Sequence, residues 1–311
     1  MNYPVIKTLS IATLAAAVAA CGGGGSGGSD SGTQTGTASL SLTDAPTGEF
    51  AEVVITFTGM ILKPADAEAL EFTFDQPKTL DLLTLQGGDT ATLLDEVEIP
   101  AGEYSWVRLT LDTDNMYVTD NSDGGGRKTL AVPSGAQTGL KLVSGFTVPA
   151  GGTSNFTIDF DARKSIVNPQ GQSLGDYLLK PALRLVDNTE VGRISGDVDY
   201  AAINSGSGYA ACDYEGSVYI FEGEVAQADL NDLNVNETQG QPLMAVPVVL
   251  EEGASLYSYT AAFLLEGTYT LSYSCQLDDN ETDDTLEFLG TQTVTVQANQ
   301  TESAQTIPLA Q

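Results

Sequence analysis

Carboxylates dominate the side chains that could do chemistry in this chain, and two stretches concentrate them. Asp112, Asp114, Asn115, Asp120, Asn121 and Asp123 fall around a Gly-rich segment. Asp278, Asp279, Asn280, Glu281, Asp283 and Asp284 follow closely on Cys275. Oxygen ligands at short spacing in a loop are what calcium requires. Neither run matches the EF-hand loop with its Gly at the sixth place and Glu at the twelfth. A solvated turn is the plain expectation for each. A weak Ca2+ site, with Asp278, Asp279, Asp283 and Asp284 as ligands, is the sharper one.

A third group is Asp159 and Asp161 on one strand face, with Asp44 as a further carboxylate. Paired carboxylates can hydrolyse a glycosidic bond if they stand about 5–10 Å apart across a groove. Arg163 and Lys164 lie next to the pair, so salt bridges at a strand end are the expected use. The chain contains no histidine, which removes His-based triads and His-ligated metals. Ser134 and Ser165 lack a GxSxG elbow and SxxK spacing. The glycine runs at 22–28 and 124–126 lack the strand and helix that a nucleotide-binding loop needs. No catalytic residue is assigned, and the chain is expected not to be an enzyme.

The three cysteines divide between two tasks. Val18-Ala19-Ala20-Cys21 reads as a lipobox, with small residues before a cysteine that can carry diacylglycerol. Lys7 supplies the positive region, and the apolar run at 9–20 is too short for a stop-transfer helix. An ordinary signal peptidase could also cut after Ala20, and an uncleaved anchor is a third reading. Gly22 stands where an Asp would favour inner-membrane retention, so a Gram-negative outer membrane is the expected destination. Cys212 and Cys275 remain as a disulfide pair in an oxidising compartment.

Composition points the same way. There are 42 acidic residues against 12 basic ones, a net charge of −30. That balance argues against nucleic acid and against flat docking on anionic lipid. Residues 22–36 are Gly, Ser, Thr, Gln and one Asp, a flexible coil with an r.m.s. reach of about 20 Å. The organisation expected is a signal peptide at 1–20, a lipidated cysteine and linker at 21–36, and domains at 37–190 and 191–311. From residue 191 onward Arg193 is the only basic residue.

Both domains read as strands. Leu40 and Leu42 alternate with Ser39 and Ser41; Val53, Ile55 and Phe57 share a face; Phe72 alternates with Phe74 around Thr73. Tyr104, Trp106 and Arg108 oppose Val107, Leu109 and Leu111, and Phe156, Ile158 and Phe160 oppose Thr157, Asp159 and Asp161. This is period two, not 3.6. Residues 178–186 are expected as one closing strand with Pro181 at an edge or bulge. Trp106, flanked by strand residues, is expected in the core. Helix is expected only as a turn near 81–85. The fold class expected is all-β: two Greek-key β-sandwich domains behind a signal peptide and a flexible tether.

The first domain resembles the bacterial lipoprotein family of the domain of unknown function 4382. The likeness rests on Ser41-Leu42-Thr43-Asp44-Ala45-Pro46, Leu80-Asp81-Leu82-Leu83, Ala101-Gly102-Glu103-Tyr104 with Arg108-Leu109, and Pro133-Ser134-Gly135. It continues through Gly139-Leu140-Lys141-Leu142, Asp159-Phe160-Asp161-Ala162-Arg163-Lys164-Ser165 and Leu179-Lys180-Pro181. The resemblance implies a β-rich extracytoplasmic domain on a lipoprotein and brings no catalytic residues. In the second domain, Gly267-Thr268-Tyr269-Thr270-Leu271 after a Glu is similar to a strand of carboxypeptidase-regulatory-like and prealbumin-like sandwiches. The function expected is a non-catalytic envelope lipoprotein, an interaction or structural module held to the bilayer by acylated Cys21. Its partner would be an envelope protein or a glycan. A carbohydrate-binding or carbohydrate-processing accessory protein is the alternative, and exposure of Trp106, Tyr257, Tyr259 and Tyr273 on one face separates the two.

Overall fold

The computed structural model describes residues 34–45, 50–120, 126–133, 139–169, 175–205, 211–237 and 239–309. The lipobox with Cys21, Pro46, Asn121, Asp123, Gly124 and Ser134 lie outside them.

The first strand of the described residues is β1 (Thr35–Ala45). This strand lies inside a four-stranded sheet, parallel to β10 (Thr153–Asp161) and antiparallel to β4 (Ala91–Pro100), with β13 (Leu183–Asp187) beyond β10. Thr35 and Gly36 therefore belong to a strand, two residues earlier than the composition suggests. The cause at Gly36 is a close approach: a Cβ there would sit 2.3 Å from the Pro149 carbonyl oxygen. Linker composition and strand packing both call for glycine, and the sequence does not separate them.

A larger sheet faces this one. Its central strands are β2 (Phe50–Pro64) and β5 (Gly102–Leu111), flanked by β3 (Leu70–Asp81), β6 (Tyr117–Asp120), β7 (Arg127–Ala131), β8 (Leu140–Leu142) and β9 (Phe146–Val148), with β11 (Ile166–Val167) at one edge. Leu40 and Leu42 of β1 and Phe156, Ile158 and Phe160 of β10 share one core with Val53, Ile55 and Phe57 of β2 and Val107 and Leu109 of β5. Each such side chain contributes about 1.5–3 kcal/mol on burial. The expected 178–186 strand is instead two. β12 (Tyr177–Leu179) joins the large sheet and β13 the small one, because Pro181 has no N–H for a ladder and the chain crosses between sheets there.

Between Asp187 and β14 (Val191–Val198) the chain turns over three residues. Asp187 Oδ1 accepts from the Thr189 N–H and hydroxyl at 2.8 and 2.7 Å. The second sandwich pairs a sheet of β17 (Tyr257–Leu265), β14 and β20 (Thr301–Ser303) with one of β16 (Met244–Pro247), β15 (Ser217–Glu222), β18 (Gly267–Ser274) and β19 (Leu289–Val296). Period two works on β15: Val218 and Ile220 enter the inter-sheet core, while Tyr219 and Phe221 enter a smaller cluster with Leu233 and Phe288. That cluster lies under the long loops after β15 and β18. The Cys212–Cys275 disulfide forms, with Cα atoms 4.9 Å apart. Each sandwich also has a tyrosine that turns back four residues: Tyr104 donates to the Pro100 carbonyl and Tyr269 to the Leu265 carbonyl, at 2.8 and 2.9 Å.

Among the described residues, two short α-helices depart from the all-strand expectation. α1 (Ala162–Ser165) follows β10, and α2 (Tyr200–Ser205) follows β14. Asp161 caps α1 by accepting from the Lys164 N–H at 2.9 Å.

Candidate functional site

The acidic loop after Cys275 folds into a receptor for α1. Arg163 inserts between the sandwiches and is 8 % exposed. Its Nη2 pairs with Asp278 Oδ2 at 2.5 Å and donates to the Asp278 carbonyl at 2.9 Å. Tyr219 donates its hydroxyl to the same Oδ2 at 2.6 Å. The Asn280 amide donates back to the Arg163 carbonyl. Lys164 Nζ donates to the Pro242 and Leu243 carbonyls at 3.0 and 2.6 Å. Glu281 accepts from the Asn168 N–H and amide. Arg163 thus pairs with the second sandwich rather than with Asp159 or Asp161, contrary to expectation. Sequence neighbourhood placed it wrongly because α1 carries it off the strand axis.

Behind that contact lies a carboxylate cluster. Asp232, Asp278 and Asp284 each bring an oxygen to within 4.8 Å of the others. Asp232 comes from the loop after β15, and its Oδ2 accepts from the Asp284 N–H at 2.7 Å. Asp284 Oδ2 accepts from the Asp279 N–H at 2.7 Å. Burial pushes the Asp232 carboxyl up; the Asp284 N–H opposes this, and the charges of Asp278 and Asp283 add to it. A cluster of this kind could take a divalent ion. Of the four ligands expected from sequence, Asp278 and Asp284 converge. Asp279 instead accepts from the Glu281 N–H in a local turn. Asp283 acts on Asp232 through its charge. Asp232 was missed because it lies in the loop after β15, far along the chain from the acidic run.

The other candidates resolve into structural roles. Asp44 is 4 % exposed, and its Oδ1 accepts from the Ala162 N–H at 3.0 Å. Burial pushes its carboxyl well up; that N–H opposes this, and the charges of Asp161, Asp159 and Asp81 add to it. Asp159 pairs with Arg184 at 2.6 Å and Asp161 with Lys164 at 3.4 Å, so the strand-end salt bridges form, one with a partner the sequence did not suggest. Asp44 and Asp159 face Met244, Thr260 and Phe263 across a void of about 10 Å³, room for about one water molecule and not for a sugar. Asp112 is spent on its own turn, accepting from the Asp114 N–H and the Asn115 amide. Asp112 and Asp114 do line a cleft of about 590 Å³ with Arg127, whose guanidinium stacks 4.0 Å over Tyr117.

Trp106 is half-buried on the outer face of the large sheet, not in the core. Arg108 and Lys141 stand over its ring at 5.0 and 4.7 Å. The strand alternation that buries Val107 and Leu109 turns Trp106 and Arg108 outward. Tyr259 and Tyr273 are buried, and Tyr257 is partly buried against the core.

Solved structures give distant likenesses. The TIE protein of Bacillus anthracis is 9 % identical over 88 % of this chain, with a TM-score of 0.19, and the chain spans 34 % of that protein. The minor pilin of Streptococcus agalactiae is 9 % identical over 88 % of this chain and 98 % of its own, with a TM-score of 0.18. The major pilin subunit of Bacillus cereus is 11 % identical over 88 % and 99 %, with a TM-score of 0.18. At such scores these likenesses carry no argument about fold or role. No curated protein matches the chain. Residues 35–181 match the profile of the family described as Domain of unknown function (DUF4382), so the first sandwich, α1 included, carries that domain.

Proposed function

We propose that the protein is a lipid-anchored module of the cell envelope that does no chemistry of its own, and that its two sandwiches work as one rigid interaction or structural body. The observation that carries this reading is the joint: Arg163 and Lys164 of the first sandwich are sequestered by Asp278 and by the Pro242 and Leu243 carbonyls of the second. Breaking a buried ion pair on one side leaves an uncompensated charge and costs about 3–5 kcal/mol. A joint of that strength suits transmission of position or force. The carboxylates that might have served hydrolysis are engaged in it or beside it. The lipobox supports attachment through Cys21, with the Gram-negative outer membrane as the destination.

Glycan binding is the weaker reading, because cations stand over Trp106 and Tyr259 and Tyr273 are buried. Two measurements test the proposal. Mass spectrometry of the mature N-terminus from a native membrane fraction should find diacylglyceryl on Cys21; an unmodified thiol refutes the anchor. Scanning calorimetry of the full chain should give one cooperative transition, which Arg163→Ala splits into two. Two transitions in the unmutated chain would refute the rigid body.

A further inference from the structure

We propose that Asp232, Asp278 and Asp284 bind a calcium ion, and that its occupancy tightens the joint between the two sandwiches. The inference rests on the rigid-body reading above and names what controls it.

The first ground is an unmet need for positive charge. Asp232 is 1 % exposed, and the Asp278 side chain is 1 % exposed. Each has an oxygen, Oδ1, that meets no hydrogen-bond donor among the described residues. A buried carboxylate oxygen left without a partner is costly, and the cost rises when a second one stands close by. Among the described residues Arg163 is the one cation paired with the group, and it sits on the other oxygen of Asp278. Three carboxylates against one guanidinium leave a local negative excess, to which Asp283 adds.

The second ground is the chemistry of the donors. All three are hard oxygens, with no nitrogen or sulfur in the set, which selects calcium-like ions over zinc or copper. Asp232 and Asp284 are already held in place, since the Asp284 N–H donates to Asp232 Oδ2. Three carboxylates leave several coordination positions to water or carbonyls, so the affinity expected is that of extracellular calcium modules, a Kd of about 0.1–1 mM.

The third ground is the double use of Asp278. Its Oδ2 takes Arg163 and Tyr219, and its Oδ1 is free for a metal, so the two cations need not compete for one oxygen. The segment that supplies Asp278 and Asp284 also supplies Asn280 and Glu281, which hold Arg163 and Asn168 of the first sandwich. Fixing both ends of this segment to a metal pre-forms the receptor for α1. Linkage is reciprocal: docking of α1 should raise calcium affinity by the factor by which calcium strengthens docking.

The test uses the full chain at constant ionic strength. Calcium should raise the melting temperature in a saturating way, by about 3–6 °C at ten times Kd, where matched magnesium or sodium does not. Asp232→Asn keeps an acceptor for the Asp284 N–H and should lower calcium affinity at least tenfold. Asp284→Asn should do the same at a more exposed position, so a folding failure of one variant does not stall the test. Calcium should also slow hydrogen exchange across 162–168, an effect both variants lose. No saturable calcium effect, or equal effects of magnesium, overturns the site. Calcium binding without slower exchange across 162–168 overturns its link to the joint. Either result with a single calorimetric transition in the unmutated chain removes this inference alone. Two transitions there would remove the rigid body as well.

Discussion

Asp44 is a buried acid whose ionised form is disfavoured. Its carboxyl is pushed well up by burial, and its Oδ2 lacks a donor among the described residues. In the unfolded chain an aspartate titrates near about 3.9. Between that value and the higher folded value the native state holds more protons than the unfolded one. Stability therefore falls as pH rises through this window and levels off above it. Asp44→Asn keeps the acceptor for Ala162 and removes the charge. It should leave stability at pH 4 nearly unchanged and raise it at pH 7.5 by about 1–2 kcal/mol, read from urea unfolding at the two pH values. An equal effect at both would show that the charge of Asp44 does not matter. Little of this was legible beforehand. The sequence placed Asp44 beside Asp159 and Asp161 as a candidate trio, and the trio does gather. Its purpose became visible only with Met244, Thr260 and Phe263 facing it from the other sandwich. Asp232 gave no signal at all, because a metal cluster assembled from two loops has no spacing to read. Trp106 misled for a simpler reason: strand residues on both sides say that a position alternates, not which face it takes.

Strands were the most readable elements, because alternating apolar residues mark a core face on β1, β10 and β15 alike. The reading failed to see cover on a second face, as on β10 and β15, where Phe156 to Phe160 and Ser217 to Phe221 are all buried. It failed again at four-residue α1, which is shorter than a helical period can register. Pro181 separates two sheets rather than bulging one strand. The disulfide is the element-level feature with the clearest energetic consequence. Cys212 and Cys275 are 63 residues apart, and closing that loop removes unfolded-chain entropy worth about 4 kcal/mol. The bond ties the approach to β15 to the end of β18, and the Asp213 N–H donates to the Cys275 carbonyl at 2.9 Å beside it. The double variant Cys212→Ser, Cys275→Ser should lose about that much stability and expose β15 and β18 to hydrogen exchange before β1 and β10. Uniform exchange across both sandwiches would contradict a local role.

Charge acts on the molecule as a whole. With a net charge of −30, and Arg193 alone among basic residues from 191 onward, the second sandwich repels itself. Raising sodium chloride from 10 to 150 mM shortens the screening length from about 30 to about 8 Å. The melting temperature should rise over that range by about 2–5 °C, and a flat response would mean that the negatives are spaced too widely to matter. The placement of β1 bears on a different property. It is the first strand of the described residues, yet it is internal, matched residue by residue to β10 from Thr37 to Ala45 and bonded to β4 on its other side. Ladder hydrogen bonds run across the strands, perpendicular in the antiparallel pairing with β4 and slanted in the parallel pairing with β10. A pull on Thr35 along the strand axis meets two ladders side-on and loads their bonds together, instead of peeling them one at a time. If a membrane tether drags on this protein at Thr35, the load therefore falls on a strand braced on both sides, the geometry of a mechanical clamp.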